Sequence, residues 1–477
     1  MKSAFVRLAI LGTEQKVLLL LIFLGVVIRF YNVITASAID MDGIEYVSAA
    51  RDFIAGRFGK ALSAIRLPAF PAAIAFFHFF VPDIELAGRV VSLVFGLLLI
   101  VLCFRFARQL WGEEKAYWLA AFVAIHPYLI EYSARVLSES LATFLFAGSF
   151  FFFYQGWVTG NTRRFFWAGA FLTFAYLTKP EYIIYFLPLS LVLLWHERKA
   201  RNIPTFLACC VLVAFTFLIY LRLHTGFWII DRKMLSWGGQ GQQSSMFSYL
   251  AHVISAPAVL KNIPVVFYHF CEAIYLPFLF LAFVGFKRAD SSFVALALML
   301  VASHIFGRSF ILHATKRYSL EFAPIIMVFA MNGVGTARNY LTRFSYGKPL
   351  SAILLFVMAG VLLFEGIAFP NYGRQMEKKA GLMLRASGEG KSIASRLPIL
   401  AFYADGNWTN LEAMLQEART CEDLQTVLLS KKIGYVVVDN KIERSFPFIK
   451  DCTPNLPVFA YLKNGKEQMR IYRRAGS

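Results

Sequence analysis

The sequence has little charge for its length: of 477 residues only 16% are Asp, Glu, Lys or Arg, against about 25% in soluble domains. That excludes a water-soluble enzyme and a disordered chain. Also missing are a Walker A loop, a GxGxxG turn, a CxxC pair and an HExxH helix, the local signatures of phosphate cradles, dinucleotide binding, thiol redox and zinc hydrolysis. No internal repeat is visible. What is present in excess is apolar: 58% hydrophobic residues and 49 Phe, with a mean hydropathy of +0.58. Apolar runs recur from residue 17 to residue 369, the pattern of a polytopic α-helical membrane protein. The formal charge of +19 would suggest nucleic acid in a soluble chain. Here the basic residues punctuate the apolar runs, so they read as topology and no nucleic acid is expected.

A span needs about 20 apolar residues. The sequence predicts eleven: 17–34, 88–109, 115–131, 140–157, 165–178, 181–196, 204–223, 264–286, 291–311, 318–336 and 349–368. The stretch 68–82 is bounded by Pro68 and Pro82 and interrupted by Pro71. It is too short to span and reads as an interfacial helix. With a cytoplasmic N-terminus, eleven spans place Lys16, Arg105, Lys115, Arg163, Arg164, Lys287, Arg288, Arg338 and Lys348 in inner segments, as the positive-inside rule requires. Counting 68–82 as a span would reverse most of them.

That topology puts several charges on the outer face. The first outer loop, 35–87, holds Asp40, Asp42, Glu45 and Arg66, with an amphipathic helix predicted from Gly43 to Ile54. Helix capping is the plain structural account of Asp40 or Asp42. Glu139 stands at a membrane edge, where a carboxylate is costly unless it faces a polar cavity or a partner such as Arg135. Lys179 lies in the tight turn 178–181, and Lys316, Arg317 and Tyr318 form a basic-aromatic cluster. Each could be an interfacial anchor. Together, basic groups from separate outer loops beside two acidic loops suggest one phosphate-binding site. The longest outer loop, 224–263, carries Trp228, Asp231, Arg232, Lys233, Trp237, a Gly/Gln run at 238–243 and His252.

Two domains follow: a transmembrane domain, 1–369, and a soluble tail, 370–477. In the tail, 375–386 and 410–429 read as helices, and 399–403, 435–438 and 470–472 as strands, giving a small α/β domain. Cys421 and Cys452 fall in this tail, in a compartment where disulfides persist, so a bridge between them is open. Cys103, Cys209, Cys210 and Cys271 fall in spans and read as packing residues.

The loop motifs resemble those of the GT-C glycosyltransferases that use polyprenyl-phosphate sugars, in particular the bacterial branch similar to protein O-mannosyltransferases and the lipid A aminoarabinose transferase. The resemblance rests on Asp42-Gly43-Ile44-Glu45-Tyr46 with Ala50-Arg51, Arg66-Leu67-Pro68-Ala69-Phe70-Pro71, Arg135-Val136-Leu137-Ser138-Glu139, Thr178-Lys179-Pro180, and Lys316-Arg317-Tyr318 with Pro324. Gly43 replaces the second acidic residue of the family's Asp-Glu pair, and Leu67 replaces one of its paired prolines. The resemblance implies an inverting transferase at the periplasmic face of a bacterial inner membrane. Its donor is a polyprenyl-phosphate-linked sugar, and its acceptor a lipid, a glycan or a protein. It implies Asp42 as general base, Glu139 as an orienting carboxylate, and Arg66, Lys179, Lys316, Arg317 and Tyr318 around the donor phosphate. Some relatives hold a metal with an acidic residue and a His. That pair is not matched here, so a divalent metal stays open with no ligands assigned.

A transporter or flippase, an O-antigen-type glycan ligase and a membrane scaffold are the other readings. Against transport, the charges gather on one face and no inverted repeat is visible. The topology itself is testable. A reporter that works only in the periplasm, fused after Ser477, is expected to be active, and a cytoplasmic one silent. The reverse pattern overturns every loop assignment above.

Overall fold

Apolar runs flanked by basic turns fold as helices at every position where a span is predicted. The computed structural model describes residues 13–36, 38–195, 201–230, 232, 258–310, 315–344, 346–368, 374–388, 392–418, 420–452, 456–465 and 467–474. Asp231, Lys233, Trp237, the 238–243 run and His252 lie outside the described residues. The chain forms two compact units, Met1–Ile34 with Tyr46–Phe369, and Thr35–Glu45 with Pro370–Ser477. Thus residues 35–45, counted by sequence with the first outer loop, group with the tail.

The first unit is helical. Its helices are α1 (Thr13–Thr35), α2 (Met41–Ile54, begun in the other unit), α3 (Ala69–His78), α4 (Ile84–Trp111), α5 (Glu113–Ile125), α6 (Pro127–Tyr132), α7 (Glu139–Thr159) and α8 (Thr162–Thr178). After a 3₁₀ turn at Pro180–Tyr185 come α9 (Phe186–Trp195) and α10 (Ile203–Thr225, with a π-helical turn at Cys210–Phe215). The unit closes with α11 (Ala258–Ile274), α12 (Leu276–Gly285), α13 (Ser291–Ser309), α14 (Ala323–Leu341) and α15 (Gly347–Ala368). Among the described residues seven helices are long and apolar enough to cross a membrane. An eighth span arises if α11 and α12, bent by 92°, count as one. The remaining predicted spans, 115–131, 165–178 and 181–196, are built from shorter helices. Helix α3 has 10 residues, about 15 Å, the short helix expected of the 68–82 stretch. Helices α7 and α14 are central, with 72% and 78% of their apolar windows buried, whereas α15 has 17%. Close approach of α12 and α14 depends on glycine: a Cβ on Gly333 would lie 1.9 Å from the Leu281 carbonyl oxygen, and one on Gly285 would lie 2.1 Å from that of Phe329. Small residues at such crossings let membrane helices pack backbone to backbone.

The break between α5 and α6 shows how a buried charge is used structurally. Pro127 has no N–H, so the Val123 carbonyl loses its helical partner. The guanidinium of Arg29, fully buried on α1, supplies it. Arg29 Nη2 donates to Val123 O at 3.1 Å, Nη1 to Ala124 O at 2.9 Å, and Nε to Ser133 Oγ at 3.3 Å.

The second unit is an α/β sheet of order β2-β1-β3-β5-β4. Strands β1 (Ser392–Ser395), β2 (Asn407–Asn410) and β3 (Tyr435–Asp439) are parallel; β4 (Val458–Asn464) and β5 (Glu467–Arg473) are antiparallel. Alternate residues face opposite cores. Ile393, Tyr435 and Val437 pack with α16 (Gln375–Ala386) and α17 (Ile399–Ala404). Ala394, Val436 and Val438 pack with α18 (Leu411–Glu417) and α19 (Cys421–Ser430). Helices on both faces of a parallel sheet follow from right-handed crossovers on each side of β1. The predicted strand at 399–403 is instead helix α17, because a short apolar run buried on one side is ambiguous by period alone. The strand is Ser392–Ser395, whose residues carry little β-propensity. The predicted helix 410–429 divides into α18 and α19 around Ala418. Cys421 and Cys452 are bonded, with their Cα atoms 5.1 Å apart.

Arg29→Leu should therefore leave two helix carbonyls unpaired, at about 1–3 kcal/mol each. The detergent-solubilised variant is expected to unfold at a clearly lower temperature. Arg29→Lys, which keeps donors but not the planar fork, should fall between it and the parent. A wild-type melting curve for Arg29→Leu contradicts this account.

Candidate functional site

Helix α8 ends at Thr178 because Pro180 lies ahead and disfavours helical backbone in the residue before it. Lys179 is accordingly extended, with φ −146° and ψ 129°, and its side chain enters the first unit's interior. Its Nζ donates to Glu139 Oε1 at 3.1 Å. Glu139 opens helix α7 and is 3% exposed. Arg317 Nε stands 3.5 Å from the same carboxylate oxygen. The other oxygen, Oε2, is buried and without a hydrogen-bond partner among the described residues. Burial pulls the Lys179 ammonium down, but Glu139, followed by Glu181 and Glu321, outweighs it and holds the pKa above the ordinary lysine value.

Tyr318 is the hub of the cluster. Arg308 lies over its ring at 4.1 Å, Arg317 at 5.1 Å and Lys179 at 5.4 Å. Arg308 is itself paired with Glu181, and its Nε is buried without a partner among the described residues. Three cations around one ring gain from its quadrupole when desolvated, and two carboxylates limit their mutual repulsion. Behind them His304 is fixed between Tyr185 and Ser319, at 2.9 Å each, with the Glu321 carboxylate 3.9 Å away.

The structure thus joins Glu139, Lys179, Arg317 and Tyr318, as the sequence predicts. Arg66 is one step removed: its guanidinium lies over the Tyr46 ring at 5.2 Å, and Tyr46 Oη is 2.8 Å from Ser138 Oγ, beside Glu139. Lys316 turns elsewhere, 3.4 Å from Glu272 and 4.0 Å from the Tyr128 ring centre, and Glu272 also receives His269 at 3.0 Å. Arg135 pairs with Glu131 at 2.7 Å, and Glu139 is taken by Lys179 and Arg317. Asp42 is the second residue of α2 and belongs to the tail unit. Asp40 precedes the helix, and its carbonyl accepts from Ile44 N at 3.1 Å. Among the described residues no three His, Cys, Asp or Glu side chains gather into a metal-holding group.

Sequence reasoning missed Arg308, Glu181, Glu321 and Glu272. Their signal was present: an ionisable residue inside an apolar run is a functional candidate by default.

Removing Lys179 should strand the Glu139 carboxylate, which has a side chain only 2% exposed. Breaking a buried pair from one side costs about 3–5 kcal/mol. Lys179→Met is expected to lower the melting temperature, and Lys179→Met/Glu139→Gln to recover much of the loss. If the double variant melts below the single one, the two groups are not coupled as described.

Comparison with known proteins bears on the fold. Residues 66–221 match the family described as Dolichyl-phosphate-mannose-protein mannosyltransferase. That stretch carries Arg66, Glu139, Lys179 and Glu181. No curated protein sequence matches the chain. Among solved structures, it is similar to ArnT from Cupriavidus metallidurans bound to undecaprenyl phosphate, with a TM-score of 0.63 at 12% identity over 96% of this chain and 98% of that one. It is also similar to the archaeal oligosaccharyltransferase AglB from Archaeoglobus fulgidus in complex with an inhibitory peptide and a dolichol-phosphate, with a TM-score of 0.57 at 12% identity over 97% and 74%. The family match covers about a third of the chain, and the shared architecture shows the fold: this chain has the fold of these two solved structures.

Proposed function

We propose that the chain is an inverting membrane glycosyltransferase that moves a sugar from a polyprenyl-phosphate donor to a hydroxyl-bearing acceptor. The observation that carries this reading is the convergence of Lys179, Arg308 and Arg317 on the Tyr318 ring, beside the half-paired carboxylate of Glu139. A cluster of cations at the ends of apolar helices suits one phosphate attached to an apolar chain. The match over 66–221 and the lipid phosphates bound by the two similar structures support it. The basic inner loops favour placing the reaction at the outer face of a bacterial inner membrane.

The chemistry is a displacement at the anomeric carbon. The acceptor oxygen forms a bond to that carbon from the face opposite the phosphate. The carbon–oxygen bond to phosphate breaks, and its electron pair leaves with the polyprenyl phosphate. Lys179, Arg317 and Arg308 stabilise the charge that grows on the leaving oxygen. Tyr318 keeps these three cations in register, Arg66 stands behind them on Tyr46, and Lys316, turned to Glu272 and Tyr128, takes no part in this set. Glu139 positions Lys179 and Arg317 rather than taking a proton. In this assignment Asp42 is the general base, on the family pattern of its loop.

Purified protein in lipid nanodiscs, given a polyprenyl-phosphate sugar and an acceptor, should transfer the sugar with inversion. Asp42→Asn should express and bind donor normally yet lose about 10²–10⁴ in rate, the typical worth of a general base. Asp40→Asn should lose far less. Near-normal turnover of Asp42→Asn with an inactive Asp40→Asn reassigns the base, and no transfer by the parent chain under any pairing rejects the reading.

A further inference from the structure

Helix α16 of the tail unit has two unlike faces. Ala380, Gly381 and Leu384 are buried, and a Cβ on Gly381 would lie 2.5 Å from the Leu400 carbonyl oxygen. That close approach to α17 fixes the rotation of the helix about its axis. The opposite face is exposed. Gln375, Leu382 and Ala386 share one stripe, with Lys379 and Met383 on one flank and Lys378 and Arg385 on the other. Leu382 is 46% exposed and Met383 40%. Glu377, the one carboxylate of α16, is half-buried and off this face. The exposed face is therefore basic around an apolar centre.

Two chain segments tie this side of the tail to membrane spans. Span α15 ends at Ala368 and α16 begins at Gln375, a chain reach of at most about 25 Å. Span α1 ends at Thr35. Four residues on, Ile39 N donates to the Tyr403 hydroxyl at 2.8 Å, a reach of at most about 14 Å from the end of α1. Tyr403 belongs to α17, and its ring centre lies 5.1 Å from the Lys378 ammonium of α16. Both segments that leave the spans thus arrive at the α16–α17 side of the sheet, whereas α18 and α19 pack on the other side.

We propose that the exposed face of α16 lies on the anionic headgroups of the bilayer. Leu382 and Met383 enter the interfacial layer, and Lys378, Lys379 and Arg385 meet lipid phosphates. Lys and Arg stems are apolar and long enough to run along such a surface while their charged heads stay in the polar layer. Basic residues around an apolar centre are the composition of interfacial helices, and anionic lipid attracts basic segments that lie within a Debye length of it. A protein partner would have to bring an acidic and apolar surface from elsewhere. The bilayer carries both properties and is already within reach of the chain. The proposal concerns the tail alone and does not depend on the transferase reading.

Photo-crosslinking of the full chain in nanodiscs tests it. Benzoylphenylalanine is placed at position 382 on α16 or, as the comparison, at position 417, where the exposed Glu417 closes α18 across the sheet. On illumination, position 382 should give phospholipid adducts, read as a mass increase, and position 417 should give none. The yield at 382 should rise about fivefold or more when phosphatidylglycerol is added to phosphatidylcholine discs, since each basic residue near an anionic surface is worth about fivefold in binding. Lys379→Gln with Arg385→Gln should abolish most of that rise at unchanged melting temperature. Crosslinks from 382 to the chain itself in place of lipid, adducts at 417 and not at 382, or a yield indifferent to phosphatidylglycerol each overturn the proposal.

Discussion

The contact between Lys179 and Glu139 organises the helical unit's chemistry. It joins the end of α8 to the start of α7, which pack side by side in the bundle. Both groups lie in an apolar surround, where isolated ions are costly, and each makes the other tolerable. Once that pair is fixed, Arg317 has a carboxylate to approach, and Tyr318 is placed between Arg317 and the Arg308–Glu181 pair. Helix α13 is then tied to the 3₁₀ turn that follows Lys179. The position of Pro180 is a backbone cause of this arrangement: with a helical Lys179, the ammonium would not extend from a chain in β conformation.

The fold was legible wherever long apolar runs met basic turns, since transfer free energy and the positive-inside rule act on composition alone. Helix breaks were less legible. The 264–286 run reads as one continuous span, yet Tyr275 takes φ +75° and turns the path by 92°. The cationic cluster around Tyr318 was legible in part because Lys179 and Arg317 fall in loops, where charge stands out. Arg308 and Glu321 were hidden in apolar runs, and only a spatial partner tells a buried charge from a tolerated one. Lys316 shows the converse: adjacency in sequence to Arg317 suggested one ligand, but consecutive residues in a 3₁₀ turn project in different directions, and Lys316 meets Glu272 and Tyr128. In the tail, Ile399–Tyr403 looked more strand-like than Ser392–Ser395, because hydrophobicity marks burial and not the choice between two buried elements.

Two helix breaks lie against each other. His126, just before Pro127, sits 3.2 Å from the Ile274 carbonyl oxygen and stacks on Phe278. Tyr128 and Tyr275 meet edge to face. Each break frees backbone groups that lipid cannot satisfy, so each draws in a polar side chain: Arg29 at one, His126 at the other. Breaks, buried polar residues and functional charges are therefore linked. Lys316 contacts Tyr128, one residue after Pro127, and Glu272, three residues before Tyr275.

Side-chain exposure orders the cluster from inside to outside. Glu139 is 2% exposed, Lys179 9% and Arg317 27%. In the proposed reaction the donor's phosphate meets Arg317 first, where its own hydration is least disturbed. It meets Lys179 only after contacting a cation, and Lys179 is already stripped of water by Glu139. The cost of desolvating the lysine is thus met during folding and not during binding, which is the condition under which fixed charges stabilise a developing negative charge most effectively. Glu139 sets the limit on that benefit. In the proposed reaction a carboxylate that holds Lys179 too strongly would compete with the donor phosphate, and its second oxygen, buried with no partner among the described residues, is the atom through which a donor on the ligand would relieve the competition.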